Sequence, residues 1–181
     1  MPEYTLLYYK KMRKIDVKDL KDNFFEVVGK EWMLVTAGTI GKYNTMTASW
    51  GCIGWLWNKP VAVVFIRPER FTHEFVESNN GLTLSFLGNT PEARKIYNFC
   101  GSKSGRDFDK VKETGLVPVE LESGNVAFGQ ARLVLDCRKL YKDDIKPGGF
   151  IDPEIAKWYG GANGGYHDMY VLEIVGAYTA D

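Results

Sequence analysis

The chain has 181 residues, and 45% of them are hydrophobic, which is enough for one globular domain with an apolar core. Lysine plus arginine and aspartate plus glutamate number 23 each, so the net charge is formally zero and favours neither nucleic acid nor an anionic membrane as a partner. We expect a cytoplasmic protein, because the sequence shows no secretion signal, no run long enough to span a membrane, and three widely spaced cysteines that match no disulfide framework.

The first half of the chain contains segments with the length and composition typical of β-strands. Residues Phe24–Val28 and Trp32–Thr36 predict two strands joined by a short, hairpin-like connection. Thr45–Ile53 is a weaker candidate, whereas Val61–Ile66 is entirely apolar and mostly β-branched, which favours a fully buried strand. This spacing of segments is typical of a β-rich domain.

The remaining elements alternate between short helices and strands. The predicted helices are Glu69–Ser78, Thr90–Gly101, a short segment ended by Gly115, and a segment that starts at Asp152 and Pro153. The further predicted strands are Leu82–Phe86, Val126–Tyr141 and Met169–Tyr178. Short connections between seven or eight strands predict a mainly β fold, an antiparallel barrel with inserted short helices. It forms a single domain over residues 1–181, with its core at about 23–178.

Several common catalytic motifs are missing from the chain. The two histidines, His73 and His167, belong to no HxH, HExxH or His-x-x-Glu pattern, so we predict no metal site. The chain also lacks GxSxG, GxxxxGK(S/T) and GxGxxG, the usual motifs of α/β-hydrolases, P-loop NTPases and Rossmann dinucleotide sites. Cofactor chemistry and simple ligand binding therefore remain as the main options.

The stretch 44–72 carries the residues best suited to a planar ligand with a phosphate. Thr45, Thr47 and Ser49 alternate with apolar residues, so an extended backbone would place three hydroxyls on one face. The small Ala48 would let a flat ring, such as an isoalloxazine, approach main-chain N–H groups. An ordinary strand with one polar face explains the same pattern equally well.

Two arginines follow the predicted buried strand. Arg67 and Arg70 converge with Thr72 at a predicted helix start, where guanidinium groups and free backbone N–H groups would bind a phosphate. Surface ion pairs with nearby glutamates are the alternative, and for an arbitrary pair of arginines they are the more frequent case.

Three further residues are candidates for contact with a ligand. Trp50 is a candidate for stacking on a ring, although tryptophans near the end of a barrel more often pack in the core or at a subunit interface. His167 follows a glycine-rich loop and is a candidate proton donor on the substrate side, or an ordinary surface histidine. Cys52 is interpreted as a contact residue without a redox role.

Five segments carry a resemblance to a known family. They are WMLVTAG at Trp32–Gly38, YNTMTASWG at Tyr43–Gly51, FIRPERFT at Phe65–Thr72, GSKSGRDFDK at Gly101–Lys110 and GYHDMYVLEI at Gly165–Ile174. By these segments, the chain resembles the flavin reductase-like family and, within it, the flavoredoxin-like branch. The chain departs from the family pattern at His73, where an aromatic residue is common, and at Gly129 and Gln130, where acidic residues are common.

The resemblance implies an FMN-binding split barrel, which is an antiparallel barrel of Greek-key-like topology, and a homodimer with two FMN sites near the subunit interface. The cofactor-binding residues that it implies are Thr47, Ala48, Ser49, Trp50, Cys52, Arg67, Arg70, Phe71, Thr72, Ser102, Ser104 and Gly105. The first five would lie along the flavin ring and ribityl chain, and the two arginines with Thr72 would hold the phosphate. The last three would approach the flavin from a loop.

The resemblance further implies an FMN-dependent oxidoreductase of the flavin reductase type, in which NAD(P)H or another small reductant passes a hydride to the flavin. The reduced flavin would then deliver electrons to a small-molecule or protein acceptor. Because the flavin carries this chemistry, no protein acid or base is required, and His167 is the one candidate on the substrate side. Two alternatives stay open: an FMN electron carrier of the flavoredoxin type without its own NAD(P)H site, and a non-catalytic flavin-binding protein.

Overall fold

The computed structural model describes residues 12–180, whose strands form one eight-stranded antiparallel sheet and a separate two-stranded hairpin. The strands are β1 Met12–Ile15, β2 Met33–Thr39, β3 Lys42–Ala48, β4 Gly51–Leu56, β5 Lys59–Ile66, β6 Gly81–Phe86, β7 Pro118–Glu120, β8 Val126–Phe128, β9 Leu133–Asp144 and β10 Asp168–Ala180. The α-helices are α1 Phe24–Glu26, α2 Phe71–Ser78, α3 Pro91–Ser102 and α4 Lys110–Thr114. A π-helical turn spans Val27–Glu31, and 3-10 turns span Val17–Asp19, Pro147–Gly149, Pro153–Trp158 and Gly161–Asn163.

The large sheet has the strand order β3-β2-β6-β9-β10-β5-β4, and β1 pairs with the C-terminal end of β10. The strands at the two ends of this order, β3 and β4, are consecutive in the chain and are joined by Ser49 and Trp50 alone. The sheet therefore curls until its two ends approach each other, and the barrel is split between β3 and β4. The predicted mainly β, antiparallel barrel with short helices is confirmed.

Alternate residues of the central strands fill the inside of the barrel. Ala62, Val64 and Ile66 on β5 are fully buried, as are Leu82 and Leu84 on β6. This period of two is the one expected for a strand with one face on the core. Packing of this kind fixes the ends of β3, β5 and β10, from which the residues of the candidate site project.

Five predicted elements, the strands β5, β6 and β10 and the helices α2 and α3, are confirmed to within two residues at each end. Helix α3 begins as predicted, because the Thr90 hydroxyl accepts a hydrogen bond from the Ala93 N–H and Pro91 occupies the first turn. Among the described helices, none has the length and apolar content needed to cross a bilayer.

The strand predicted at Phe24–Val28 is wrong, because this segment is helical. The Asn23 side chain caps it by accepting from the Phe25 N–H, and Val27, Val28 and Glu31 are buried on one helical face. The Glu31 carboxylate accepts hydrogen bonds from the Arg132 guanidinium, with the Nε at 3.1 Å from both of its oxygens. This partly buried ion pair anchors the helical turn in a segment whose valines and phenylalanines favour a strand.

The long strand predicted at Val126–Tyr141 is two strands. Strand β8 pairs with β7, a turn spans residues 129–132, and β9 joins the large sheet. In the turn, the Gln130 side chain accepts from the Val117 N–H and donates to the Gly115 carbonyl. The apolar alternation continues on both sides of the turn, so the pattern alone concealed the break.

The predicted strand Thr45–Ile53 is also divided, into the end of β3 and the start of β4. Gly51 is required at the start of β4, because a Cβ there would lie 2.7 Å from the Val63 carbonyl oxygen. Strands β4 and β5 are joined by Trp57 and Asn58, which both have positive φ angles, as in a type I′ hairpin turn. The segment predicted after Asp152 forms a 3-10 turn.

Candidate functional site

Two neighbouring cavities lie at the end of the barrel where β3 and β5 finish. The aromatic cavity, of about 170 Å³, is lined by Met46, Thr47, Ala48, Ser49, Trp50, Phe65, Arg67, Arg70 and His167. The cationic cavity, of about 250 Å³, is lined by Glu69, Arg70, Phe71, Thr72, Gly101, Ser102, Lys103, Ser104, Gly105, Arg106 and Lys110. Arg70 lines both, so the two cavities form one extended site with an aromatic end and a positively charged end.

The aromatic cavity is built where β5 ends and β10 begins. Because Ile66 pairs with Asp168, the preceding His167 lies beside Arg67, and the Arg67 Nε donates to the His167 Nε2 at 3.2 Å. Arg67 also donates to the Trp158 carbonyl at 3.1 Å, while its Nη1 is buried with no hydrogen-bond partner among the described residues. Trp50 contributes its ring 5.3 Å from the His167 imidazole.

His167 is held in a single protonation state by its partners. Its Nε2 accepts from the Arg67 guanidinium, so in the neutral ring the proton is on Nδ1, which faces the Tyr159 hydroxyl at 3.2 Å. Burial and the charge of Arg67 lower the pKa of His167 to about 4. His167 is therefore a neutral imidazole at pH 7 and not an imidazolium ion. His167 lines the cavity, and its role as a proton donor on the substrate side stays a prediction.

The cationic cavity gathers positive charge at the start of α2. Arg70 is the N-cap residue of α2, and no side chain caps this end, so the first-turn N–H groups add to the positive potential. Its guanidinium donates to the Cys100 carbonyl at 3.3 Å, and burial lowers the pKa of Arg70. The buried Lys110 ammonium donates to the same carbonyl at 2.9 Å and to the Thr45 carbonyl at 2.7 Å. Glu69 also lines this cavity, and its carboxylate accepts from the Gly165 N–H.

A loop after α3 closes the cationic cavity. Gly105 packs so tightly on Asn44 that a Cβ at this position would overlap the Asn44 Oδ1. The Asn44 amide in turn donates to the Thr72 hydroxyl at 2.8 Å. The Ser104 hydroxyl accepts from the Arg106 N–H at 3.2 Å. These contacts tie the loop, β3 and the start of α2 into one wall.

The structure brings together eleven of the twelve residues predicted to bind the cofactor. Thr47, Ala48, Ser49, Trp50 and Arg67 line the aromatic cavity, Arg70 lines both cavities, and Phe71, Thr72, Ser102, Ser104 and Gly105 line the cationic cavity. Cys52 is the exception, because it lines a separate apolar cavity together with Phe24, Phe25 and Val28. Arg67 and Thr72 therefore face different cavities, although the sequence predicted that they act together.

The three hydroxyls predicted to lie on one face of an extended strand have different environments. The Thr45 hydroxyl is buried between strands, 2.9 Å from the Thr36 hydroxyl. The Thr47 hydroxyl donates to the Tyr97 carbonyl at 2.6 Å and so ties β3 to α3. Ser49 lies beyond the end of β3, in the link to β4. Two of the three hydroxyls thus stabilise the fold.

Sequence reasoning missed Lys110 as a residue of the site. It lies in the segment GSKSGRDFDK. Its position in the first turn of α4 is the signal that could have identified it. A cation at the N-terminus of a helix is unfavourable with respect to the helix dipole, so a lysine there signals another partner. Phe65 and Asn44 were missed because only the tertiary fold brings them to the site.

One group of side chains in the described part of the chain has the composition of a metal site. Ligand atoms of His73, Glu77 and Asp168 lie within 4.8 Å of one another. Lys142 forms ion pairs with both carboxylates, at 3.0 and 2.9 Å, and the Tyr170 hydroxyl donates to Glu77 at 2.6 Å. His73 itself lies 2.7 Å from the Asp168 carboxylate. The group is thus an internally paired network.

Solved structures share the fold over almost the whole chain. An FMN-binding domain of a flavin reductases-like enzyme from Shewanella baltica has a TM-score of 0.64 at 17% identity, covering 93% of this chain and 77% of that one. Flavoredoxin from Methanosarcina acetivorans has 0.63 at 20% identity, covering 93% and 76%. An FMN-binding protein from Thermus thermophilus with bound p-hydroxybenzaldehyde has 0.63 at 20% identity, covering 93% and 82%. At such identities, the likeness shows the fold alone.

No curated protein matches the chain. The sequence itself carries a stronger relation than these structures do, because residues 28–181 match the flavin reductase like domain. This match includes β2 to β10 and both cavities. The chain therefore belongs to the flavin reductase-like domain family.

Proposed function

We propose that the protein is an FMN-dependent oxidoreductase that holds the flavin ring in the aromatic cavity and the phosphate in the cationic cavity. The observation that carries this proposal is the sharing of Arg70 between an aromatic cavity and a cationic one. A ligand that spans both must combine a planar ring with an anion. FMN has this composition, and family membership supports it.

The residues present fit such a ligand. The buried Arg67 Nη1 has no protein partner among the described residues, so a hydrogen-bond acceptor of the ligand would satisfy it. At the other end, Arg70 and the uncapped start of α2 offer charged and backbone donors for a phosphate. Gly105 keeps the loop backbone close to this end of the site.

Bound FMN would supply the redox chemistry itself, and the protein would supply binding, orientation and electrostatics. The charges of Arg67 and Arg70 would stabilise negative charge on the ligand without any reorganisation of the site. His167 would keep the Arg67 side chain in place through the 3.2 Å hydrogen bond and, being neutral, would not compete with it for an anion.

The absorbance spectrum of the purified protein tests the proposal most directly. Flavin bands, either present on purification or gained on incubation with FMN, are the expected result. A protein that stays colourless and does not bind added FMN would overturn it.

We further propose NADH or NADPH as the electron donor and a small molecule or protein as the acceptor. Bleaching of the bound flavin by NADH or NADPH in a stopped-flow experiment would support the donor.

One observation favours the second candidate, an FMN electron carrier without its own NAD(P)H site. The segment before β10 lies beside two residues that line the aromatic cavity, Trp50 and Arg67. Trp158 of this segment packs against Trp50 at 5.7 Å, and its carbonyl accepts from Arg67. A nicotinamide ring would have to displace this contact. Reduction by dithionite or a partner protein, with no bleaching by either nucleotide, would support the carrier.

We also propose that the protein acts as a homodimer. Strand β4 is at the end of the sheet order and exposes Trp55 and Leu56, and Trp57 is exposed in the following turn. An open edge with exposed tryptophans favours pairing with another chain. Light scattering should give twice the 20.5 kDa chain mass, and Trp55→Lys should shift the protein toward the monomer.

A further inference from the structure

Lys110 has an unusual environment for a lysine. It is 5% exposed, and its ammonium group donates to two backbone carbonyls, those of Thr45 and Cys100. Among the described residues, no carboxylate forms an ion pair with it. A buried charge without an opposite charge is costly, and the position of Lys110 in the first turn of α4 adds an unfavourable helix-dipole interaction.

The groups around Lys110 increase this cost. Arg70, at the start of α2, donates to the same Cys100 carbonyl, so two cations share one acceptor. From α3, the Cys100 thiol faces Lys110, but burial raises the pKa of Cys100 to about 11, so it stays neutral. From β3, the neighbour is the Thr45 carbonyl. Arg70, the charged neighbour, therefore repels the Lys110 ammonium group.

We infer that Lys110 makes the cationic cavity selective for phosphorylated flavins, because it adds a charge with no carboxylate partner to a lining in which Glu69 is the one carboxylate beside Arg70, Lys103 and Arg106, so that a bound anion would balance the excess. This inference rests on the proposed function and deepens it. A phosphate would be attracted by both cations, whereas riboflavin, which has the same ring without the phosphate, would gain nothing from them. Lys110 would thus discriminate between the two ligands without touching the ring.

The same arrangement links binding to protonation. Burial lowers the pKa of Lys110 to about 8, with Arg70 contributing in the same direction. An anion in the cavity raises the pKa again, because it favours the charged form of the lysine. FMN affinity should therefore be constant between about pH 7 and pH 8, where the phosphate is a dianion, and decrease above pH 8, by up to about tenfold per pH unit. Riboflavin affinity should not follow this curve.

The test compares FMN and riboflavin on the full chain by fluorescence titration. Lys110→Gln keeps a side-chain donor for the carbonyls but removes the charge. We expect FMN to bind about 10- to 100-fold more weakly to this variant and riboflavin to change less than about threefold. Lys110→Arg, which keeps the charge, should recover most of the preference for FMN. Lys112→Gln, an exposed lysine on the same helix, is the matched control.

The ratio of the two affinities guards against a folding defect, since a misfolded variant loses both ligands. If Lys110→Gln weakens FMN and riboflavin equally, or weakens neither, the inference is wrong. A flat FMN affinity from pH 7 to 9 in the parent would also contradict it. A parent that binds neither flavin would overturn the proposed function itself, and the inference would fall with it.

Discussion

The aromatic cavity and the cationic cavity share Arg70 but differ in how their polar groups are satisfied. In the aromatic cavity, Arg67, His167 and Tyr159 form a chain of hydrogen bonds within the protein. In the cationic cavity, Arg70 and Lys110 donate to backbone carbonyls, and among the described residues that line it Glu69 is the one carboxylate beside four cations. The first cavity thus leaves one donor, the Arg67 Nη1, for a ligand, whereas the second has an excess of positive charge that an anion would balance. Ligand affinity should therefore depend mainly on the cationic cavity.

The largest effect is expected from Arg70→Ala. Losing one charge-assisted contact to a phosphate costs roughly 1.5 to 3 kcal/mol, so FMN should bind about 10- to 100-fold more weakly. Riboflavin should lose less, since it has no phosphate. Fluorescence titration with both flavins measures the difference, and Arg138→Ala, an exposed arginine on β9 outside both cavities, is the control. Equal losses for the two flavins would show that Arg70 does not hold the phosphate.

A smaller and different effect is expected from Arg67→Ala. Because Arg67 lines only the aromatic cavity, this change should weaken FMN and riboflavin by the same factor, roughly tenfold for one lost hydrogen bond to a charged group. The measurement is again the pair of titrations. A loss confined to FMN would assign Arg67 to the phosphate, as the sequence predicted, and would remove the distinction between the cavities.

Sequence reasoning predicted those parts of the fold that local patterns determine. Strand β5 follows from its apolar, β-branched run, and α3 follows from the Thr90 cap and Pro91. The helical turn at Val27–Glu31 could not be predicted in this way, because it depends on a partly buried ion pair between Glu31 and Arg132, 101 residues apart. Tertiary contacts of this kind override local propensity.

The candidate site also combines features that the local sequence reveals with features that only tertiary contacts determine. The residues of the stretch 44–72 could be identified because their chemistry is visible in the sequence. The separation into two cavities could not, since it depends on the pairing of β5 with β10, which places His167 beside Arg67. Lys110 was missed for a similar reason: its burial against β3 and α3 is a property of the fold.

A third test uses pH, and its effect should be about 1 kcal/mol. The pKa of His167 is lowered to about 4 in the folded protein, against 6.5 for an unperturbed histidine, so between these values the unfolded chain binds more protons. Unfolding then takes up a proton, and stability falls as the pH decreases from 7 to 5. The full pKa shift would correspond to a larger loss of unfolding free energy. Because His167 is only partly shielded from solvent, we expect a loss of about 1 kcal/mol.

Urea unfolding of the parent and of His167→Gln at pH 7 and pH 5 measures this contribution. The variant should lose less stability between the two pH values than the parent does. Equal losses would mean that burial and the charge of Arg67 do not hold His167 neutral. The comparison between variant and parent removes the contribution of the carboxylates, which both proteins share.

The smallest expected effect is at Cys52, which lies outside the aromatic cavity. Cys52 is exposed and lines the separate apolar cavity, whereas Cys100 and Cys137 are buried. Cys52→Ala should therefore change FMN affinity by less than about twofold, and FMN should not slow alkylation of the Cys52 thiol. Labelling of the Cys52→Ala variant gives the background from the buried thiols. Because Trp50 lines both cavities, protection of Cys52 by FMN would mean that the ring lies on the other side of this indole, against Phe24 and Val28. The ring would then be separated from Arg67 and His167, and only the cationic cavity would keep its proposed role.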